Sequence, residues 1–149
     1  MSISQNIVQV KASLPANVTL VAVSKFHPAE ALMEAYNAGQ RVFGESRAQE
    51  LTAKQKVLPG DIEWHFIGPL QSNKVKDIAP FIHTIHSIDS LKLLQEVNKQ
   101  AAKNNRIIRV LLEIHVAQEE TKHGLSPDEC RELLQNEQLA RSEEHTSEL

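Results

Sequence analysis

At 149 residues, with 41% apolar and 23% charged side chains, the chain has the size and composition of a globular protein built on one core. A net charge of -3 leaves no electrostatic case for nucleic-acid binding, and no stretch approaches the roughly 18 apolar residues of a membrane span. A single cysteine, Cys130, excludes an internal disulfide, and Met1-Ser2-Ile3-Ser4-Gln5 lacks the features of a signal peptide, so a cytoplasmic address is expected.

Ile3, Ile7 and Val10 recur at helical spacing, which predicts a short amphipathic helix ending before Pro15. The apolar run 18–25 then reads as a strand buried on both faces, stopped by Pro28, with Lys25 at its carboxyl end. Pro28 opens a helix that Gly39 is placed to end. Residues 41–44 read as a second strand, and Ser46 with Gln49 as the capping box of a third helix that Pro59-Gly60 breaks. A third strand covers 62–67, and Ser72 is a candidate cap for a short helix carrying Lys74 and Lys76. A fourth strand covers 82–88, followed by a helix with Leu91, Leu94, Val97 and Ala101 on one face. Residues 107–116 form a fifth apolar strand, and Ser126-Pro127-Asp128-Glu129 opens a last helix.

Strands alternating with helices build a parallel α/β sheet, either doubly wound or closed as a (β/α)8 barrel, and the pattern leaves both open. No Gly-x-Gly-x-x-Gly follows the first strand, which weakens the dinucleotide-binding version of the open sheet. From residue 141 the character changes: Arg141 to Leu149 has no periodicity and one large apolar side chain. The expectation is a domain over 1–140 followed by a foreign or disordered tail over 141–149.

Ligands of parallel α/β folds bind beyond the carboxyl ends of the strands, so Lys25 is the first candidate functional residue. A lysine there acts as a nucleophile only after losing its proton, and a solvated strand-end lysine is the plainer reading of these residues alone.

Four stretches stand together at or just after strand ends: VAVSKFHP at 21–28, VFGESRAQEL at 42–51, WHFIGPLQSNKVK at 64–76 and HVAQEETKHGL at 115–125. Through them the chain resembles the YggS/PROSC family of pyridoxal 5'-phosphate (PLP) homeostasis proteins, whose TIM barrel is similar to the N-terminal domain of alanine racemase. The resemblance implies an incomplete (β/α)8 barrel with about five βα units, in which Lys25 forms the internal aldimine with the cofactor. Ser46 stands where the family commonly has an asparagine near the cofactor ring, and Lys122 matches a lysine that shapes the pocket or offers an alternative attachment point.

The function so implied is a monomeric, cytoplasmic carrier or buffer of PLP that supplies apoenzymes and has no turnover of its own, with no nucleic-acid or membrane partner. The alternative is a racemase-like PLP enzyme, yet its tyrosine acid/base has no counterpart, since the only tyrosine, Tyr36, falls in a helix away from the strand ends. A cofactor-free barrel enzyme is also less supported, because Glu45 and Glu113 are the only carboxylates offered near strand ends and Glu45 can simply pair with a cation. His83 and His86 suggest a metal pair, but on a strand their spacing sends them to opposite faces, so no metal site is expected. His65 and Trp64 read as packed or hydrogen-bonded, and Cys130 as a buried, inert thiol.

Overall fold

A computed structural model of the chain describes residues 2–114, 125–134 and 142–148. The elements alternate as α1 (Ile3–Ala12), β1 (Ala22–Val23), α2 (Ala29–Asn37), β2 (Val42–Glu45), α3 (Ala48–Val57), β3 (Glu63–Phe66), a 3-10 turn at Ser72–Lys74 running into α4 (Val75–Ile78), β4 (Thr84–Ile88), α5 (Leu91–Lys103), β5 (Ile108–Ile114), α6 (Pro127–Leu134) and β6 (Ser142–Glu148). All the strands are parallel and lie in chain order, β1 to β6. Sequential order in which each helix crosses over in the same right-handed sense keeps the helices on one side, which is how a barrel winds; a doubly wound sheet would reverse its order. This resolves the choice that the alternation left open, and the five βα units match the incomplete barrel expected.

The register separates two faces. Phe43 lies opposite Trp64, Phe66 opposite Ile85 and Ile85 opposite Val110. These side chains are at most 3% exposed and pack with Leu51, Ile78, Leu94 and Val97 of the helices. The other face carries Val23, Gly44, His65 and Thr84 in register, then His86 and Arg109.

Local signals explain most boundaries. Ser2 and Gln5 close a reciprocal capping box on α1. The Ser90 hydroxyl accepts from the Leu93 N–H to start α5, whose buried side chains Leu93, Leu94, Val97, Gln100 and Ala101 hold the helical period. Ser126 and Glu129 cap α6 as expected, and Cys130 within it is buried. Gly39 ends α2 with φ of 102°, a left-handed conformation that glycine adopts without penalty.

Several expectations are corrected. β1 is two residues long, with only β2 to pair with, and Val23 is 53% exposed because its side chain lies on the face that the helices leave uncovered. β5 is not buried on both faces: Ile108, Val110, Leu112 and Ile114 are buried while Arg109 between them is exposed. Ser46 does not cap α3, and Ser72 sits inside the 3-10 turn rather than ahead of it. Ser46 is instead pressed against Gly68, where an added Cβ would come within 2.5 Å of the Ser46 Cβ. The tail expected to lack regular structure supplies β6, paired along the whole of β5 from Ile108 opposite Ser142 to Ile114 opposite Glu148. Backbone pairing to a strand edge needs no apolar side chain, which is why polarity alone did not reveal it.

Candidate functional site

The carboxyl ends of β1 and β2 are held together by a buried cluster of charge. Lys54, projecting from α3 and 6% exposed, donates from Nζ to the Ser24 carbonyl, to Glu45 Oε2 and to Glu50 Oε2, each at 2.8 Å. Glu45 is fully buried, and its Oε2 also accepts from the Ser24 hydroxyl at 2.5 Å. Glu50 Oε2 accepts from the Phe26 N–H at 2.7 Å. All three ammonium protons of Lys54 are therefore committed, and the backbone on either side of residue 25 is gripped by side chains of α3. Burial works against ionisation of Glu50, but the Lys54 ammonium and the Phe26 N–H outweigh it and hold the carboxyl below its ordinary range.

The grip sustains an unusual backbone. Phe26 has φ of 65°, a left-handed conformation that a bulky residue adopts only when its surroundings impose it. The Glu50 bond to its N–H and the Arg47 guanidinium 5.0 Å from its ring supply that constraint. Lys25 is thereby presented in an exposed turn at the carboxyl end of β1, the end at which the sequence placed it.

Ser46 follows β2 and lines a cleft of about 580 Å³ with Arg47, Glu50, Phe66, Gln71 and Lys74. Among the described residues Lys25 is not part of that lining, so the structure sets Lys25 and Ser46 on adjacent strand ends but not in one cavity. Lys122 lies outside the described residues. Glu45 pairs with a cation, as one reading allowed, but Lys54 itself was missed. Its signal was the Glu50-to-Lys54 spacing, which on sequence alone reads as a surface pair.

Tyr36 sits at the other end of the sheet. Its hydroxyl donates to Asp61 Oδ1 at 2.6 Å and its ring lies under the Arg41 guanidinium at 3.7 Å. The hydrogen bond to Asp61 raises the phenol's pKa and lowers that of the carboxyl.

A second polar cluster occupies the face not covered by helices. His65 Nε2 is 2.9 Å from Glu63 Oε2, His65 Nδ1 is 2.8 Å from His86 Nε2, and His83 Nε2 is 3.3 Å from Glu63 Oε1. The rings of His65 and His83 stack at 5.5 Å, 4° from parallel. Burial holds His65 and His86 below the ordinary imidazole range. The expectation that His83 and His86 diverge is thus corrected: β4 begins at Thr84, so His83 precedes the strand and escapes its alternation.

Among known proteins, residues 1–145 match the family model described as alanine racemase, N-terminal domain. The chain is 47% identical over 119 residues to the pyridoxal phosphate homeostasis protein of Schizosaccharomyces pombe, a match covering 78% of this chain and 50% of that protein. The chain spans about half the length of that curated relative. PipY of Synechococcus elongatus, solved with PLP bound, superposes with a TM-score of 0.84 at 39% identity over 95% of this chain and 66% of that one. Alanine racemase of Clostridium difficile superposes with a TM-score of 0.76 at 16% identity, over 97% of this chain and 39% of that one, a likeness of fold alone.

Proposed function

Since this chain belongs to the alanine racemase N-terminal domain family, we propose that it is part of a PLP carrier in which Lys25 attaches the cofactor and no turnover follows. The observation that carries the reading is the contrast between two lysines at one strand end. Lys25 is exposed, whereas Lys54 has its three protons bonded and its charge buried between Glu45 and Glu50. An attacking amine needs a lone pair, and Lys54 has none to offer while those bonds stand. The residues present thus fit the aldehyde end of the cofactor, and relatives whose names state PLP homeostasis or a PLP-bound structure support the choice. When bound, the cofactor supplies an aldehyde that condenses with a primary amine with loss of water.

The chain's own contribution is positional. Glu45, Glu50 and Lys54 fix the backbone of residues 24–26, so Lys25 needs no rearrangement of the turn to reach a ligand above the strand ends. Ser46, which lines the cleft, is proposed as a neighbouring contact and Lys122 as a second amine of the pocket. The sheet leaves β1 and β6 as open edges, and a phosphate anchor from later strands of a closed barrel is not among the described elements. The division into a partial barrel over 1–140 and a tail of foreign origin over 141–149 rests on composition.

The non-catalytic reading is supported by Tyr36, the only tyrosine, which is bonded to Asp61 ahead of β3 and away from Lys25. A cytoplasmic location is proposed on the single, buried Cys130. Recipient apoenzymes and a monomeric state complete the proposal.

Borohydride reduction after incubation with PLP, followed by peptide mass spectrometry, should place the adduct on Lys25, and Lys25→Ala should remove it. An adduct that persists on Lys122 or elsewhere in Lys25→Ala sinks the assignment. Formation of D-alanine from L-alanine by the full-length protein would instead favour the racemase-like alternative.

A further inference from the structure

We propose that Glu63, His65 and His83 form a zinc site on the uncovered face of the sheet, with Glu63 opening β3 and His83 just ahead of β4. One carboxylate oxygen of Glu63 and one ring nitrogen of each histidine lie within 4.8 Å of one another. The two carboxylate oxygens each face one ring: His65 Nε2 is 2.9 Å from Glu63 Oε2, and His83 Nε2 is 3.3 Å from Glu63 Oε1. At Zn–N and Zn–O lengths of about 2.1 Å, a tetrahedral ion sets its ligand atoms roughly 3.4 Å apart. The donors therefore stand near the required spacing before any ion enters, and only side-chain adjustment is needed to close on it.

The chain places them so for local reasons. Glu63 and His65 are two apart on β3 and share a face, while His83 reaches the same place from the segment entering β4. His83 Nδ1 is 2.6 Å from Thr84 Oγ1, and His65 Nδ1 is 2.8 Å from His86 Nε2. Each candidate ligand ring thus has a partner on the nitrogen that faces away from Glu63. That is the outer-shell arrangement that fixes the tautomer of a coordinating histidine. Without an ion, the Nε2 protons lie against the Glu63 carboxylate. With one, they are carried on Nδ1, where Thr84 Oγ1 and His86 Nε2 accept them, and the ion takes their place. Two imidazoles and one carboxylate form the donor set of zinc sites that keep a fourth position for water. Arg109, on β5 opposite Thr84, disfavours an added cation, and the Glu63 charge opposes that effect.

Cobalt(II) serves as the visible probe and zinc as its competitor, using the 149-residue chain. One equivalent of cobalt should give the strong visible bands of a four-coordinate ion, and zinc should displace them. Glu63→Gln and His83→Ala should each weaken binding by about a hundredfold, the upper end of what even outer-shell losses cost. The His83 side chain is 41% exposed, so its removal should leave the circular dichroism unchanged; Glu63→Gln preserves size and serves if it does not. His27→Ala, at the exposed turn after β1, should bind as the parent does. No cobalt bands at millimolar metal, equal affinity in the Glu63 and His83 variants, or a loss as large in His27→Ala would each overturn the site.

Discussion

Side chains on the two faces of one sheet meet opposite fates. On one face Phe43, Trp64, Phe66, Ile85 and Val110 are all buried beneath helices. On the face of Val23, His65, His86 and Arg109, exposed, half-buried and buried groups are mixed, and polar atoms of His65, His86 and Glu63 satisfy one another. The same backbone carries both, so the difference lies in what the crossovers cover. Stability is concentrated on the covered face, and chemistry is available on the other and at the rim between them.

The sharpest way to break this contrast is at the covered rim. Lys54→Ala strands the fully buried Glu45 without its cation and should cost about 3–5 kcal/mol in urea unfolding. A loss below about 1 kcal/mol would mean that water reaches the cluster. Next comes the covered core. Leu94→Ala, at a fully buried position on α5, should cost about 2–5 kcal/mol with the slope of the unfolding curve unchanged.

Acid should act on the rim more gently. The folded-state value of Glu50 lies below its ordinary 4.5, so the stability it lends is complete above that pH and is lost as pH falls through the lowered value. The gap in unfolding midpoint between the parent and Glu50→Gln should therefore narrow between about pH 6 and about pH 3. A gap that widened would reverse the assigned sign. The smallest effect belongs to the uncovered face, where Val23→Ser should stay within about 0.5 kcal/mol of the parent. A loss comparable to that of Leu94→Ala would show that this face is covered after all.

Much of the fold was legible because its signals are local. Ser90, the 3.6-residue period of α5 and the Ser126–Glu129 box each lie within a few residues and mark an element without reference to the rest of the chain. What failed depended on partners distant in sequence. Ser46 and Gln49 have the spacing of a capping box, yet the approach of Gly68 decides where Ser46 sits. Lys54 has the look of a surface lysine until β1 and β2 pair and bring Ser24 and Glu45 to it. The histidines turned on a boundary: starting β4 at 82 rather than 84 assigns His83 to the wrong face. The place of Lys25 at the end of β1 was legible because it ends an apolar run, while the contacts that fix the backbone around it are spread over three elements.

The contacts around Lys25 have a consequence for sequence drift. Lys54 holds the carbonyl of residue 24, and Glu50 holds the amide of residue 26. Both read main-chain atoms, so the turn does not depend on which side chain occupies position 25. A library randomised at that codon should fold almost throughout, and selection for cofactor retention should recover lysine alone. The scaffold leaves the residue at its tip free to vary, so a pressure to keep a lysine there would have to come from something other than the fold.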